Sequence, residues 1–282
     1  MAFDNVTVSF IGSGVMAEAM IKGLLSQNLL TPDQIVAADP NQERGAELVE
    51  RYHLRYTADN AEAADCGNIL VLSVKPQVMS QVAQTTRRSA HKASMVLSIM
   101  AGVRIRTIAD ALANPSVVRS MPNTPAQIGE GITVWTATPE VPEAQREQAR
   151  TLLRALGDEI YMEDEKYLDM TTALSGTGPA YIFLFMEAMI DAGVHMGFSR
   201  RDAERLVLKT MRGSVDYAMQ SGLHPAQLRN QVTSPGGTSA EAIYQMEKGG
   251  LRTVLSKAIW AAYQKSVALG DAQGKGKQDE ED

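Results

Sequence analysis

The stretch Val6-Thr7-Val8-Ser9-Phe10-Ile11-Gly12-Ser13-Gly14-Val15-Met16-Ala17 decides the reading of this chain. Six β-prone residues run directly into G-x-G-x-x-A, and a helical pattern follows over 18–26. Each small residue then has its own task. Gly12 permits a tight turn, Gly14 lets a pyrophosphate approach the backbone, and Ala17 allows close helix–strand packing. A second strand, 34–38, ends at Asp39, where an acidic side chain takes the ribose hydroxyls. Together these point to a dinucleotide held by Gly12, Ser13, Gly14, Val15 and Met16, with Asp39 on the ribose. The plain alternative is a glycine turn in a flavodoxin-like sheet that binds no nucleotide.

The same pattern continues outward. Helices are expected at 41–52 and 59–66, the second starting near Asp59 or Asn60. Ile69-Leu70-Val71-Leu72-Ser73-Val74 is a continuous apolar run, typical of a strand covered on both faces. It ends at Lys75-Pro76, and Pro76 can start the next helix, 77–90. A strand at 94–99 ends at Ala101-Gly102. Then come a helix over 105–112, a strand over 116–119 and a rigid loop, Met121-Pro122-Asn123-Thr124-Pro125. A strand at 132–136, a helix at 142–156 and a last strand at 159–162 follow. Alternating β and α units predict a parallel, doubly wound sheet, whose ligands bind at the carboxyl ends of the strands. Lys75 reads either as a solvated strand-end lysine or as a contact to a phosphate or ribose.

From Asp164 onward the period is helical only. Leu174-Ser175-Gly176-Thr177-Gly178-Pro179 reads as a break that opens a helix. Residues 181–195 are richly apolar and are expected to be buried on most sides, with Tyr181-Ile182-Phe183-Leu184-Phe185-Met186 against a second subunit. Helices follow at 201–220, with Ser199 as a cap, at 225–231, from near Ala240, and at 251–269. Between the second and third of these runs lies Pro235-Gly236-Gly237-Thr238-Ser239. Two glycines let the backbone approach a ligand, and the residues after them open a helix whose free N–H groups favour a small carboxylate. An ordinary capped turn is the bland alternative. The expected organisation is a dinucleotide-binding domain over 1–164, a helical domain over 165–270 and a disordered tail over 271–282. The acidic Asp279–Asp282 end reads as solubilising.

Composition narrows the partners. With 282 residues, 44% hydrophobic, the chain can build a real core, and its net charge of −6 gives no basic footprint for nucleic acid. No apolar run reads as long enough to span a bilayer, and residues 1–11 show no secretory pattern. The single cysteine, Cys66, excludes an internal disulfide, so a reducing cytoplasm is expected. The four histidines, at 53, 91, 195 and 224, have no metal-ligand spacing, so no metal is assigned. The 15 methionines read as core filling.

With these motifs in view, the chain resembles the pyrroline-5-carboxylate reductases nearly throughout, to about Leu269. The resemblance rests on the Gly12 fingerprint, Ser73-Val74-Lys75-Pro76, Ala101-Gly102-Val103, the Met121 to Pro125 loop and Leu174 through Tyr181. Its most specific part is His224-Pro225, Leu228-Arg229, and Val232-Thr233-Ser234-Pro235-Gly236-Gly237-Thr238, ending in Met246-Glu247. The resemblance implies a Rossmann-like doubly wound sheet followed by an all-α dimerisation domain, and NADPH or NADH as cofactor. Asn60 matches a position reaching the adenosine half. Ser73, Val74, Lys75, Pro76 and Ala101 match positions around the nicotinamide end. The substrate carboxylate falls to Ser234, Gly236, Gly237, Thr238 and Ser239. It also implies dimers with intertwined helical domains, often assembled into decamers. Two departures stand out: Thr238-Ser239 replaces the usual Thr-Thr or Ala-Thr, and Gln231 stands where some members carry Asn or Met.

Reducing a cyclic imine needs a hydride donor, a bound iminium and a carboxylate site, but no strong general acid, because protonated C=N is already electrophilic. Catalytic roles are expected for Ser239, on the substrate nitrogen, and Thr238, as the helix cap. β-Hydroxyacid dehydrogenases, similar in the first half, place a catalytic lysine four residues after a G-x-G; here Ile182 holds that place. Another cyclic imine acid is a further substrate reading. A non-catalytic dinucleotide sensor is disfavoured by the intact 235–239 turn. Asp39 is expected to disfavour a 2′-phosphate, and Arg44 to counter this by pairing with it, giving dual nucleotide use.

Overall fold

The structure, a computed structural model, describes residues 3–275. The fingerprint folds as expected: β1 (Val8–Ile11) feeds α1 (Val15–Ser26), followed by β2 (Ile35–Ala38) and α2 (Gln42–Tyr52). A short strand absent from the pattern, β3 (Arg55–Thr57), comes next; its three polar residues form the sheet edge and carry no apolar signal. Then follow α3 (Asn60–Cys66), β4 (Ile69–Leu72), α4 (Met79–Ala90), β5 (Met95–Ser98), α5 (Ile105–Leu112) and β6 (Val117–Met121). After these come β7 (Gly131–Ala137), α6 (Glu143–Arg154) and β8 (Gly157–Tyr161). The eight strands lie in the order β3-β2-β1-β4-β5-β6-β7-β8.

The sheet is mixed, which corrects the all-parallel expectation. β6 and β7 pair antiparallel, Val118 opposite Ala137 and Met121 opposite Val134. The connection between them, 122–130, is shorter than the roughly dozen residues a parallel crossover needs. Every other neighbouring pair is parallel.

Side-chain alternation explains why the inner strands read as continuous apolar runs. Val8 and Phe10 of β1, with Ile69 and Val71 of β4, face one core with Met20, Ile21 and Leu24 of α1 and Leu152 and Leu153 of α6. Ile11, Leu70 and Leu72 face the opposite core with Val82 of α4 and Ile108 of α5. Helices cover both faces, so no position on these strands is left for a polar residue to meet water.

The chain separates into two compact units. One ends at Thr177 and takes the chain back from Ala262; the other is Gly178–Ala261. The expected division at 164/165 therefore lies inside the first unit, and a buried cation shows why. Arg119 of β6, 2% exposed, pairs with Glu165 at 2.7 Å and with Asp169 at 3.3 Å. Glu165 also accepts from the Ile105 N–H at 2.7 Å. These bonds bind α7 (Lys166–Thr171) to the sheet. The Ser266 hydroxyl, donating to Asp169 at 2.9 Å, ties the returning chain to the same group.

A π turn, Thr172–Gly176, joins α7 to α8 (Gly178–His195) without a break. Lys166–His195 is thus one helical run of 30 residues, where the glycines of 174–179 suggest an interruption. By length and composition this run is apolar enough to cross a membrane, contrary to the sequence expectation. The second unit holds α8, α9 (Arg200–Ser221), α10 (Pro225–Gln231), α11 (Thr238–Lys248) and the first part of α12 (Leu251–Lys275). Ser199 caps α9, its hydroxyl accepting from the Asp202 N–H at 3.1 Å. α12 extends the helix past the expected tail start at 271; residues 276–282, with Asp279–Asp282, lie outside the described residues.

Replacing Arg119 with Met should leave two carboxylates without their buried partner. We expect a loss of about 3 kcal/mol, the scale of a broken buried ion pair, in urea unfolding. A loss under 1 kcal/mol would show that the pair holds nothing together.

Candidate functional site

The expected nucleotide residues lie in the first unit and the expected substrate residues in the second. In the first unit, strand register gathers them. Ile11 stands opposite Ala38 and Leu72, and Leu72 opposite Ser98. The loops after β1, β2, β4 and β5, carrying Gly12 to Gly14, Asp39, Ser73 to Pro76 and Ala101, therefore emerge along one edge.

Gly12 sits at φ +93°, and a Cβ there would lie 2.6 Å from Val74 Cγ1 and 3.0 Å from the Ser73 backbone. Only glycine satisfies both constraints. The Ser73 hydroxyl donates to the Gly12 carbonyl at 2.6 Å and so fastens the turn to β4. Gly14 differs. It precedes α1 as its N-cap with no side-chain cap, and a Cβ added there would meet nothing within 4 Å. Open space over uncapped helix amides fits a pyrophosphate. Val15, the first helical residue, is 57% exposed on this approach, and Ala17 is buried against the core as expected.

Ser13 turns its side chain inward. Its side chain is buried, with the hydroxyl donating to the Ala38 carbonyl at 3.2 Å. Its N–H donates to Asp39 Oδ2 at 3.0 Å, and Asp39 Oδ1 accepts from the Asn41 N–H at 3.0 Å. Two backbone amides thus hold the Asp39 carboxylate in place. Arg44 is engaged as well, in a way the sequence does not reveal. Its Nε donates to the Ser13 carbonyl at 2.9 Å, Nη1 to Glu47 at 2.6 Å and Nη2 to Glu18 at 2.5 Å. The expected free guanidinium for a phosphate is therefore already paired. Burial alone would push the Glu18 carboxyl up; hydrogen bonds from Arg44 and Tyr52 and the charges of Arg44 and Arg51 hold it below the ordinary range.

Asn60 opens α3, half-buried, behind Asp59, whose side chain accepts from the Ala61 N–H at 2.8 Å. Lys75 is exposed at the end of β4. Pro76 opens a short 3₁₀ turn, Pro76–Val78, before α4. Ala101 is half-buried ahead of Gly102, which has φ +72°. Motif reading missed the support behind the Met121 loop: a Cβ on Gly176 would lie 2.6 Å from Met121 Cε, so the π turn packs on the end of β6. The Ser-Gly-Thr-Gly run is its sequence signal, since π turns recur at functional sites.

In the second unit, Ser234-Pro235-Gly236-Gly237 form a tight turn closed by the Gly237 N–H on the Ser234 carbonyl at 3.0 Å. Proline second and Gly236 third, at φ +69°, meet the needs of a type II turn. A Cβ on Gly237 would lie 2.6 Å from Ser234 Oγ. Gly237, not Thr238, is the N-cap of α11, and it makes no side-chain cap bond. This corrects the expected capping role of Thr238, which is already the first helical residue. The first closing bond is Glu241 N–H to Gly237 O, at 3.3 Å, so the amides of Thr238, Ser239 and Ala240 have no acceptor among the described residues. Three open amides on a helix of eleven residues suit a carboxylate. His224 caps α10 just before this region, Nδ1 accepting from the Ala226 N–H at 3.1 Å.

A dinucleotide cradle in an α/β unit, followed by a separate all-helical unit, is the build of an NAD(P)H-dependent oxidoreductase. Residues 165–269 match the family model described as pyrroline-5-carboxylate reductase dimerisation, and residues 7–102 match NADP oxidoreductase coenzyme F420-dependent. The pyrroline-5-carboxylate reductase of Pseudomonas aeruginosa is 40% identical, over 95% of this chain and 98% of its own. That of Synechocystis is 36% identical, over 94% and 99%. Among solved structures, a pyrroline-5-carboxylate reductase from Coxiella burnetii superposes with a TM-score of 0.86 at 33% identity, covering 94% of this chain and 99% of that one. The Plasmodium falciparum pyrroline carboxylate reductase, solved with NADP bound, gives 0.87 at 30% identity, over 95% and 99%. The chain belongs to the pyrroline-5-carboxylate reductase family.

The turn geometry separates two variants. Gly236→Ala should cost about 1 kcal/mol for forcing a side chain into the left-handed region. Thr238→Ala removes no cap and should leave the melting temperature within a degree or so. Melting curves read both, and equal losses would mean that the Thr238 hydroxyl caps after all.

Proposed function

We propose that this chain reduces 1-pyrroline-5-carboxylate to L-proline with NADPH or NADH, the last step of proline biosynthesis. Family membership over nearly the whole chain supports the reaction, and the observation that carries it is the turn ahead of α11 with three open amides. In this reading, the amides of Thr238, Ser239 and Ala240, with Ser234, Gly236 and Gly237 shaping the turn, hold the substrate carboxylate. The nucleotide, when bound along Gly12 to Met16, supplies the hydride. The Ser239 hydroxyl oxygen accepts from the iminium N–H and orients the C=N. Because the protonated imine is already electrophilic, no side chain has to deliver a proton during the reduction.

We assign the assembly to a dimer through the second unit. Ile182, Phe183 and Leu184 on α8, Leu206 and Val215 on α9, and Trp260 on α12 are all at least 47% exposed. The sequence expectation for this stretch is likewise cover by a second subunit. The match to a dimerisation family supports cover by a second copy, which makes the apolar α8 a subunit interface in a cytoplasmic enzyme instead of a membrane span. Nucleic acid has no place in this reading.

Purified protein given the imine should oxidise NADH or NADPH and produce proline. Inactivity with both nucleotides from mildly acidic to alkaline pH would refute the proposal. Ser239→Ala should lower kcat/KM by roughly one to two orders of magnitude, the scale of one hydrogen bond to a charged group; Ser239→Thr should be at least neutral. Light scattering at micromolar concentration should give a dimer or a multiple of it. A stable 30.5 kDa species would contradict the assembly.

A further inference from the structure

We propose that Glu18 determines nucleotide specificity by holding the Arg44 guanidinium away from a 2′-phosphate. The inference rests on the dinucleotide reading of the Gly12 turn and concerns a residue outside the fingerprint. Asp39 and Arg44 grip the two sides of one residue: the Ser13 N–H goes to the carboxylate and the Ser13 carbonyl accepts from Arg44 Nε, at 3.0 and 2.9 Å. The guanidinium and the ribose-binding carboxylate of this reading are thus fastened to the same residue, in the region where an arginine accommodates a 2′-phosphate in enzymes that use the phosphorylated nucleotide.

Here all three nitrogens of that guanidinium are already engaged. Nη2 is bound to Glu18 at 2.5 Å and Nη1 to Glu47 at 2.6 Å. Arg51 bridges the same two carboxylates, and the Tyr52 hydroxyl donates to Glu18 at 2.9 Å. Two cations meet two anions, so the cluster offers no net positive charge, and Asp39 adds a negative one. A 2′-phosphate brought to this corner must break an ion pair to gain one, while the ribose hydroxyls of NADH need only Asp39. Glu18 is the key member because its side chain is 17% exposed and gathers three donors, whereas Glu47 is 44% exposed.

Glu18→Gln preserves the shape and removes the charge. Titration of the protein with NADH and with NADPH, without substrate, reads the effect directly through nucleotide fluorescence. The ratio of Kd values should move toward NADPH by roughly tenfold, the scale of one charge-assisted hydrogen bond, and kcat/KM should follow. The gain should vanish in Glu18→Gln combined with Arg44→Met. If Glu18→Gln does not fold, Glu47→Gln, at the exposed end of the cluster, should shift the ratio the same way by a smaller factor. An unchanged ratio in a folded variant, or a gain that survives loss of Arg44, would overturn the assignment. If the unaltered chain binds neither nucleotide, the dinucleotide reading fails and the assignment fails with it.

Discussion

The approach of Gly12 to the end of β4 is the constraint on which the nucleotide unit turns. There is no room for a Cβ at that point, and the backbone is left-handed as well. The Ser73 hydroxyl then locks the turn to the next strand. Once the turn is held there, α1 must leave the sheet at one place, and its open N-terminus faces the strand edge. Ser13, directly after Gly12, becomes a buried hinge pin that serves Asp39 with its N–H and Arg44 with its carbonyl. The placement of the turn and its bonds to Asp39 and Arg44 thus descend from one close backbone contact.

Buried polar groups do the corresponding work three strands away in the same sheet. Arg119 is almost wholly out of water, so its partners are obligatory and not decorative. Glu165 and Asp169 answer it from the segment after the sheet, and Ser266 answers Asp169 from α12. A chain that leaves this unit after Thr177 and returns at Ala262 needs such a directional tie, because apolar contact alone does not fix where a returning helix stops.

The fold was legible where periodicity and chemistry coincided. Phe10, Val71 and Leu97 alternate with Ile11, Leu72 and Val96 between two cores, so continuous apolar runs announced the covered strands. β3 escaped because three residues at an edge, with only Tyr56 packed on the core, are too short to show a pattern, and the antiparallel direction of β7 escaped because connection length, not strand composition, sets direction. The 174–179 segment looked like a break because glycines weaken a helix; the π turn absorbs them and keeps it continuous. For the site, Gly12 was readable because local geometry admits only glycine there, whereas Gly14 and Asp39 were read from the spacing of the fingerprint. The Glu18–Arg44 pair was not, since residues 26 apart in sequence meet only when α1 and α2 lie side by side. The N-cap was misplaced by one residue. A hydroxyl usually caps a helix, but the type II turn had already brought Gly237 to that position.

The same misplacement clarifies what the anion turn is. A Ser or Thr side chain at the N-cap would take one of the first amides for itself. With glycine there, nothing among the described residues competes for the N–H groups of Thr238, Ser239 and Ala240. The helix forgoes a cap worth about 1 kcal/mol, and the vacancy is stabilised only when an anion arrives. In the proposed function, carboxylate binding and helix completion are then one event: the backbone would bind the charge, and the Ser239 side chain would have only to offer one oxygen.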